Sequence, residues 1–202
     1  MIEDLARTYP RTIDLGGTTI AIRYMSAGDE DAVMMFARGL PAHDLLFLPR
    51  DITHPKVLAA WTREIERGAM TTLLAFDAGV VVGCATIVRD PLSWSAHVGE
   101  LRVVVAVPMR GKKLGRVLAE DCFAIALSMG IEKMTAQMTV DQSGAIAVFE
   151  SMGYRAEALL RDHVKDNDGH THDIAILSHD VARVASRLDA YGLGEPREHE
   201  RD

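Results

Sequence analysis

Arg110, Gly111, Lys112, Lys113, Gly115 and Arg116 place four cationic side chains and two glycines within seven residues. They follow a β-branched run, Val103-Val104-Val105-Ala106-Val107. They lead into apolar residues at helical spacing: Leu114, Val117, Leu118, Cys122, Ile125 and Met129. A strand that turns straight into a helix leaves the first N–H groups of that helix without partners and sets its positive end at the turn. Glycines let a ligand approach the backbone, and the cations add charge. The chemistry such a turn suits is the binding of a phosphate or pyrophosphate.

Other residues suggest chemistry less well. His170-Thr171-His172-Asp173 lies close to Asp166 and Asp168, and alternation would put His170 and His172 on one face of a strand. A zinc site needs three or four converging ligands, and this spacing is not diagnostic. A calcium-loop register with Gly169 at its glycine position would make Val164 and Ala175 ligands, so it fails. The stretch reads as a polar hairpin turn, and no metal is expected. Cys84 and Cys122 lie in apolar segments, which predicts buried free thiols. No basic residue beside Cys122 marks it as a nucleophile. No serine sits in the Gly-x-Ser-x-Gly setting of a strained nucleophile turn.

The elements that must position the basic turn can be read from pattern. Ile13 to Ile22 reads as a hairpin around Gly16-Gly17. Asp29 to Arg38 reads as a helix capped by Asp29, Pro41 to Pro55 as a loop, and Lys56 to Arg67 as a second helix. Thr71 to Phe76 and Val80 to Val88 form a second hairpin, and Val98 to Val107 is a long apolar strand. Lys113 to Met129 is a helix ended by Gly130. Lys133 to Val140 is a strand, Ser143 to Met152 a short helix ended by Gly153. Tyr154 to Val164 and Thr171 to Leu177 are strands around Asp166-Asn167-Asp168-Gly169, and Val181 to Ala190 is a last helix. Hairpins on both sides of a strand–helix–strand unit predict an α/β protein with one mixed sheet flanked by helices. One domain over 1–190 is expected, followed by a polar, disordered tail over 191–202.

The chain has 202 residues and a formal net charge of −7. That charge argues against nucleic acid as a partner. No run approaches the about 18 apolar residues of a membrane helix. The first residues lack the apolar core of a secretory leader. Sparse cysteines suit a reducing compartment, so a cytoplasmic protein without membrane partners is expected. Leu45-Leu46-Phe47-Leu48-Pro49 is an apolar loop that could line a hydrophobic pocket, form a homodimer contact, or belong to the core.

The basic turn resembles the acetyl-CoA-binding motif of the GNAT superfamily of N-acetyltransferases. That motif has Arg or Gln, two residues, Gly, one residue, then Gly or Ala. Arg110, Lys113 and Gly115 occupy its positions, so Lys113 stands where the first glycine is usual. A lysine fits there if its backbone keeps an ordinary helical φ. Downstream, Gln142 to Tyr154 resembles a second family segment through Ala145, Ile146, Gly153 and Tyr154. Here Gln142 replaces the family's asparagine, and Phe149 replaces the tyrosine that often acts as acid.

The resemblance implies a GNAT-like fold and acetyl transfer from acetyl-CoA to a primary amine by direct attack in a ternary complex. It implies that the backbone of Val103 and Val105 holds the acyl arm. It assigns Arg110, Gly111, Lys112, Lys113, Leu114, Gly115 and Arg116 to the pyrophosphate, and Gln142, Ala145 and Phe149 to the remaining cofactor wall. Some relatives that acetylate protein N-termini carry a base glutamate on the strand before this second segment; Gln137 stands there and cannot titrate. Glu100, near the start of the strand that enters the turn, is the candidate base. Its alternative is a salt bridge with Arg102 or another neighbour. Tyr154 and His163 are weaker candidates for proton transfer. The alternative function is a non-catalytic, CoA-binding sensor or interaction protein.

Overall fold

A computed structural model describes residues 7–190. The elements run β1 (Arg11–Asp14), β2 (Thr19–Tyr24), α1 (Glu30–Arg38), α2 (Pro55–Glu66), β3 (Met70–Asp77), β4 (Val80–Val88) and β5 (Val98–Val105). They continue with α3 (Leu114–Ser128), β6 (Lys133–Thr139), α4 (Ser143–Ser151), β7 (Arg155–Lys165), β8 (Thr171–Asp180) and α5 (Val181–Ala190). The tail expected over 191–202 lies outside the described residues. Among the described residues, no helix is long and apolar enough to cross a membrane.

One eight-stranded sheet carries these elements in the order β1-β2-β3-β4-β5-β6-β8-β7. Its pairs are antiparallel except β5 with β6, which α3 connects in parallel. This is the mixed α/β sheet that the order of patterns implied. The strand expected to reach Val107 stops at Val105, because Val107–Met109 forms a 3-10 turn with Pro108 at its centre.

Strand alternation sorts the apolar residues into two cores. Leu101, Met134, Ala136 and Met138 face α3, with Leu114, Leu118 and Cys122. Leu74, Cys84, Val104 and Ile174 face α1 and α2, with Phe36, Leu58 and Trp61. Gly83 on β4 sets how closely α3 can lie. A Cβ there would come within 2.9 Å of Leu118 and 3.1 Å of Leu114. The chain's beginning is tied to α3 by Asp121, which is fully buried, accepts two hydrogen bonds from Arg11 Nη2 at 2.6 and 2.8 Å, and also meets Arg7. That buried carboxylate has its charge matched, as burial requires.

Asp29 does not cap α1 with its side chain. Its carboxylate accepts from Arg23 at 2.6 and 2.7 Å and from the N–H and hydroxyl of Ser26, both at 2.8 Å. It therefore joins β2 to the start of α1. The hydrogen bonds from Arg23, with those from Ser26, hold its pKa well below the usual carboxylate range.

Candidate active site

The parallel pairing of β5 with β6 covers only Val98–Glu100 against Lys133–Thr135. Beyond it each strand stays with its outer neighbour: β5 pairs with β4 as far as Val105, and β6 with β8 as far as Thr139. The two strands therefore diverge into a cleft. Ala106 donates its N–H to Val82 of β4 at 2.9 Å. Alternation then turns the N–H and C=O of Val103 and Val105 away from β4, into the cleft. Their side chains pack on the α3 core.

The cleft opens at the basic turn. Gly111 has φ +71, and Lys113 has φ +68 and ψ 3. The ordinary helical φ expected of Lys113 is thus corrected: it takes the left-handed conformation that glycine adopts freely. That reversal lets α3 begin at Leu114 directly after the turn. The Lys113 carbonyl accepts from Val117 at 3.1 Å, which opens the helix. Among the described residues, nothing accepts from the N–H groups of Lys113, Leu114, Gly115 or Arg116. These are the orphan donors of a helix start, aimed at the end of the cleft.

The basic side chains divide. Arg110 bonds Asp44 at 2.5 Å, and Asp44 belongs to a 3-10 turn, Ala42–Leu45, inside the loop expected over Pro41 to Pro55. Arg116 points along α3, to Glu120 at 2.8 Å and to Ser151 of α4 at 3.0 Å. It therefore braces α3 against α4. Gln142 precedes α4 and Ala145 lies exposed on its first turn. Phe149 is buried, edge-on to Tyr154 with centroids 5.0 Å apart. Tyr154 itself is fully buried, and burial raises its pKa above the ordinary phenol range. That makes it core and a poor proton donor.

Glu100, Arg102 and Val104 share the face of β5 turned to α1 and α2. Glu100 accepts from Arg102 Nε at 2.8 Å and Nη2 at 3.0 Å. The pair sits where the cleft begins. Gln137 lies on the same face of β6, by alternation. Next to the pair, a cavity of about 330 Å³ opens between α2 and the sheet. Leu48, Ile52, Val57, Trp61, Met70 and Val104 supply most of its wall, and Arg102 and Thr86 its polar floor. Trp61 is fixed there by donating Nε1–H to Thr72 at 2.9 Å. Of the apolar loop, Phe47 enters the core and Leu48 and Pro49 line this cavity. Cys84, also in the wall, is a free thiol whose pKa burial pushes up to about 12, so it is inert.

Sequence reading missed His43 and Asp141 at the cleft mouth and took His172 and Asp166 only as part of a polar hairpin turn. His43 Nε2 lies 2.6 Å from an Asp141 oxygen, off the line a hydrogen bond needs, and its ring meets His172 edge-on at 5.0 Å. His172 bonds Asp166 at 2.8 Å. Asp166 also accepts from the N–H groups of Asp168 and His170. The His172 bond, then those N–H groups, hold the Asp166 pKa down to about 2. Ligand atoms of Asp166, Asp168 and His170 come within 4.8 Å of one another, yet the turn's own backbone already engages Asp166. His163 lies exposed on β7, the edge strand. Proline at 41 marked a turn, but its contacts reach about 100 and 130 residues along the chain, and no local pattern encodes them.

Comparison with known proteins matches this arrangement. Residues 42–154 match the family model described as the acetyltransferase (GNAT) family. No curated protein matches the chain in sequence. Among solved structures, an N-acetyltransferase from Staphylococcus aureus Mu50 superposes with a TM-score of 0.71 at 16% identity, over 80% of this chain and 98% of that one. The yncA protein of Salmonella typhimurium, solved with its cofactor acetyl-CoA, gives 0.69 at 20% identity, over 80% and 94%. A spermidine N-acetyltransferase from Vibrio cholerae, in complex with CoA and spermine, gives 0.65 at 15%, over 81% and 96%. The family match spans the cleft, the basic turn and the helix across from it, and the chain belongs to the GNAT acetyltransferase family.

Proposed function

We propose that the protein transfers an acetyl group from acetyl-CoA to a primary amine. The observation that carries this reading is the cleft between β5 and β6, whose unpaired strand edge runs into the free N–H groups of Lys113 to Arg116. Acetyl-CoA supplies the acyl group as a thioester. The backbone of Val103 and Val105 holds its acyl arm. Gly111, Lys113, Leu114 and Gly115 offer the backbone cradle for the pyrophosphate, with Arg110, Lys112 and Arg116 supplying positive charge. Gln142, Ala145 and Phe149 belong to the opposite wall.

Glu100 takes the ammonium proton in this reading. Its pair with Arg102 uses two of about four lone-pair sites on the carboxylate, so acceptor capacity remains. Glu100→Gln is expected to abolish the rise of rate with pH while acetyl-CoA affinity stays within about twofold, as read from pH–rate profiles and calorimetry. An unchanged profile removes Glu100 from the role.

The test of the whole reading is calorimetric titration with acetyl-CoA, followed by CoA release with a panel of amines. Binding near micromolar, roughly −8 kcal/mol, weakened by Arg110→Glu, is expected together with turnover. No binding at millimolar acetyl-CoA overturns the reading. Binding with no turnover of any amine favours a CoA-binding sensor, the reading that Gln137 and Phe149 support, since neither side chain titrates.

A further inference from the structure

We propose that the amine acceptor is an apolar α-amino acid, bound as its zwitterion on the Glu100–Arg102 pair with its side chain in the cavity under α2. This rests on the acetyl-transfer reading and names the substrate class for it.

The pair is joined through Arg102 Nε and Nη2, and among the described residues nothing bonds Arg102 Nη1. Both side chains keep some exposure, 16% for Arg102 and 21% for Glu100. One open guanidinium edge and one open carboxylate edge therefore sit side by side. The molecule complementary to that surface carries a carboxylate and an ammonium on neighbouring atoms. An α-amino acid has both on one carbon. Its carboxylate meets Arg102 in a charge-assisted contact, and its ammonium meets Glu100.

The cavity supplies the third contact. Arg102 lines it, so a group seated on the pair projects its side chain between Trp61, Met70, Val57 and Val104. Those walls reward an aromatic or branched side chain and offer little to a polar one. The charge of the lining excludes a polyamine. Glu64 is its one acidic residue, and Arg67 already pairs with it at 3.3 Å. Arg50 also lines it and Arg102 is matched by Glu100, so a second ammonium meets the Arg50 charge and no unpaired carboxylate of the lining.

The position suits the chemistry. Arg102 and Val104 alternate along β5 with Val103 and Val105, whose backbone faces the cleft. The amino nitrogen thus lies beside the strand edge that holds the acyl arm. Glu100 takes one ammonium proton. The freed nitrogen pair forms the N–C bond at the acetyl carbonyl, the C–S bond breaks, and its electron pair leaves on sulfur. The second nitrogen proton passes through water to that sulfur, giving N-acetyl amino acid and CoA thiol.

The test compares L-phenylalanine, phenethylamine, glycine and spermidine as acceptors at saturating acetyl-CoA. It adds calorimetric titration of L-phenylalanine into CoA-loaded protein. L-Phenylalanine is expected to exceed each of the others in kcat/KM by at least about tenfold. Arg102→Gln should bring the ratio of L-phenylalanine to phenethylamine close to one. Ala60→Phe, which fills the cavity, should bring the ratio of L-phenylalanine to glycine close to one. Both variants are read in protein that still binds acetyl-CoA, so misfolding is seen separately. Preferred turnover of spermidine or phenethylamine overturns the substrate class and leaves acetyl transfer standing. Binding of L-phenylalanine that Arg102→Gln removes, with no turnover of any amine, upholds the site and overturns acetyl transfer. Absence of both binding and turnover overturns both.

Discussion

Lys113 holds a left-handed backbone, with φ +68, that costs an ordinary L-residue about 1–2 kcal/mol. Glycine would remove that strain, but glycine also loses about 0.5–1 kcal/mol more backbone entropy on folding. The balance favours the folded state, so Lys113→Gly is expected to stabilise the protein by up to about 1 kcal/mol, about 2–4 °C in Tm. Lys113→Ala keeps the Cβ and should show no such gain. Both remove the same ammonium and leave the backbone cradle in place, so any change in acetyl-CoA affinity should be alike in the two variants. Thermal melts and calorimetry on the pair separate backbone strain from charge; equal melts would show that the strain is absent. The sequence located the lysine in the turn. Its φ was not legible, because φ there is set by how α3 must leave the turn to lie on Gly83.

At the scale of elements, the short turn Ala42–Leu45 touches both lips of the cleft. Asp44 holds Arg110 beside the basic turn, and His43 meets Asp141 after β6 and His172 on β8. Asp44 is an anion that occupies the arginine assigned to an anionic ligand. Asp44→Asn is therefore expected to tighten acetyl-CoA binding about fivefold, near the upper worth of an exposed pair of about 1 kcal/mol. Calorimetry at low and high salt checks this; weaker binding would show that Asp44 aims Arg110 at the ligand. A second junction joins β2 to α1 through Asp29. Its folded-state pKa is depressed, so the stability it contributes is present above the unfolded value of about 3.9 and is lost as pH falls through the folded one. Asp29→Asn should cost about 1–3 kcal/mol at pH 7. Urea melts of variant and parent should then converge progressively below about pH 4. A gap that persists undiminished at pH 2 would contradict the assignment. The sequence suggested Asp29 as a helix cap, since Asp before a helical pattern signals one. Arg23 outbid the helix for it, a competition that only the docking of β2 reveals.

For the whole molecule, the cleft exists because β5 and β6 begin paired and then follow different neighbours. On the proposed reading, acetyl-CoA bound across both walls stabilises only the folded state. At about 100 times Kd it should add about 2.7 kcal/mol, raising Tm by about 5–10 °C for a chain of this size. Dephospho-CoA at the same concentration serves as the comparison, and no shift with either would contradict a built cleft. The order of strands and helices, the basic turn and the helix after it were determined by the sequence alone. Those features rest on local periodicity, glycine and charge, which neighbouring residues set among themselves. The sequence also allowed both a free Glu100 and one paired with Arg102. Tertiary structure decided for the pair, as it decided the cavity under α2 and the contacts of His43 and Asp44. The pair is local in sequence, two residues apart on β5, and depends on which side of the strand is covered; the cavity and the contacts of His43 and Asp44 join residues distant in the chain, and their meeting depends on how the sheet is ordered and how the helices cover it.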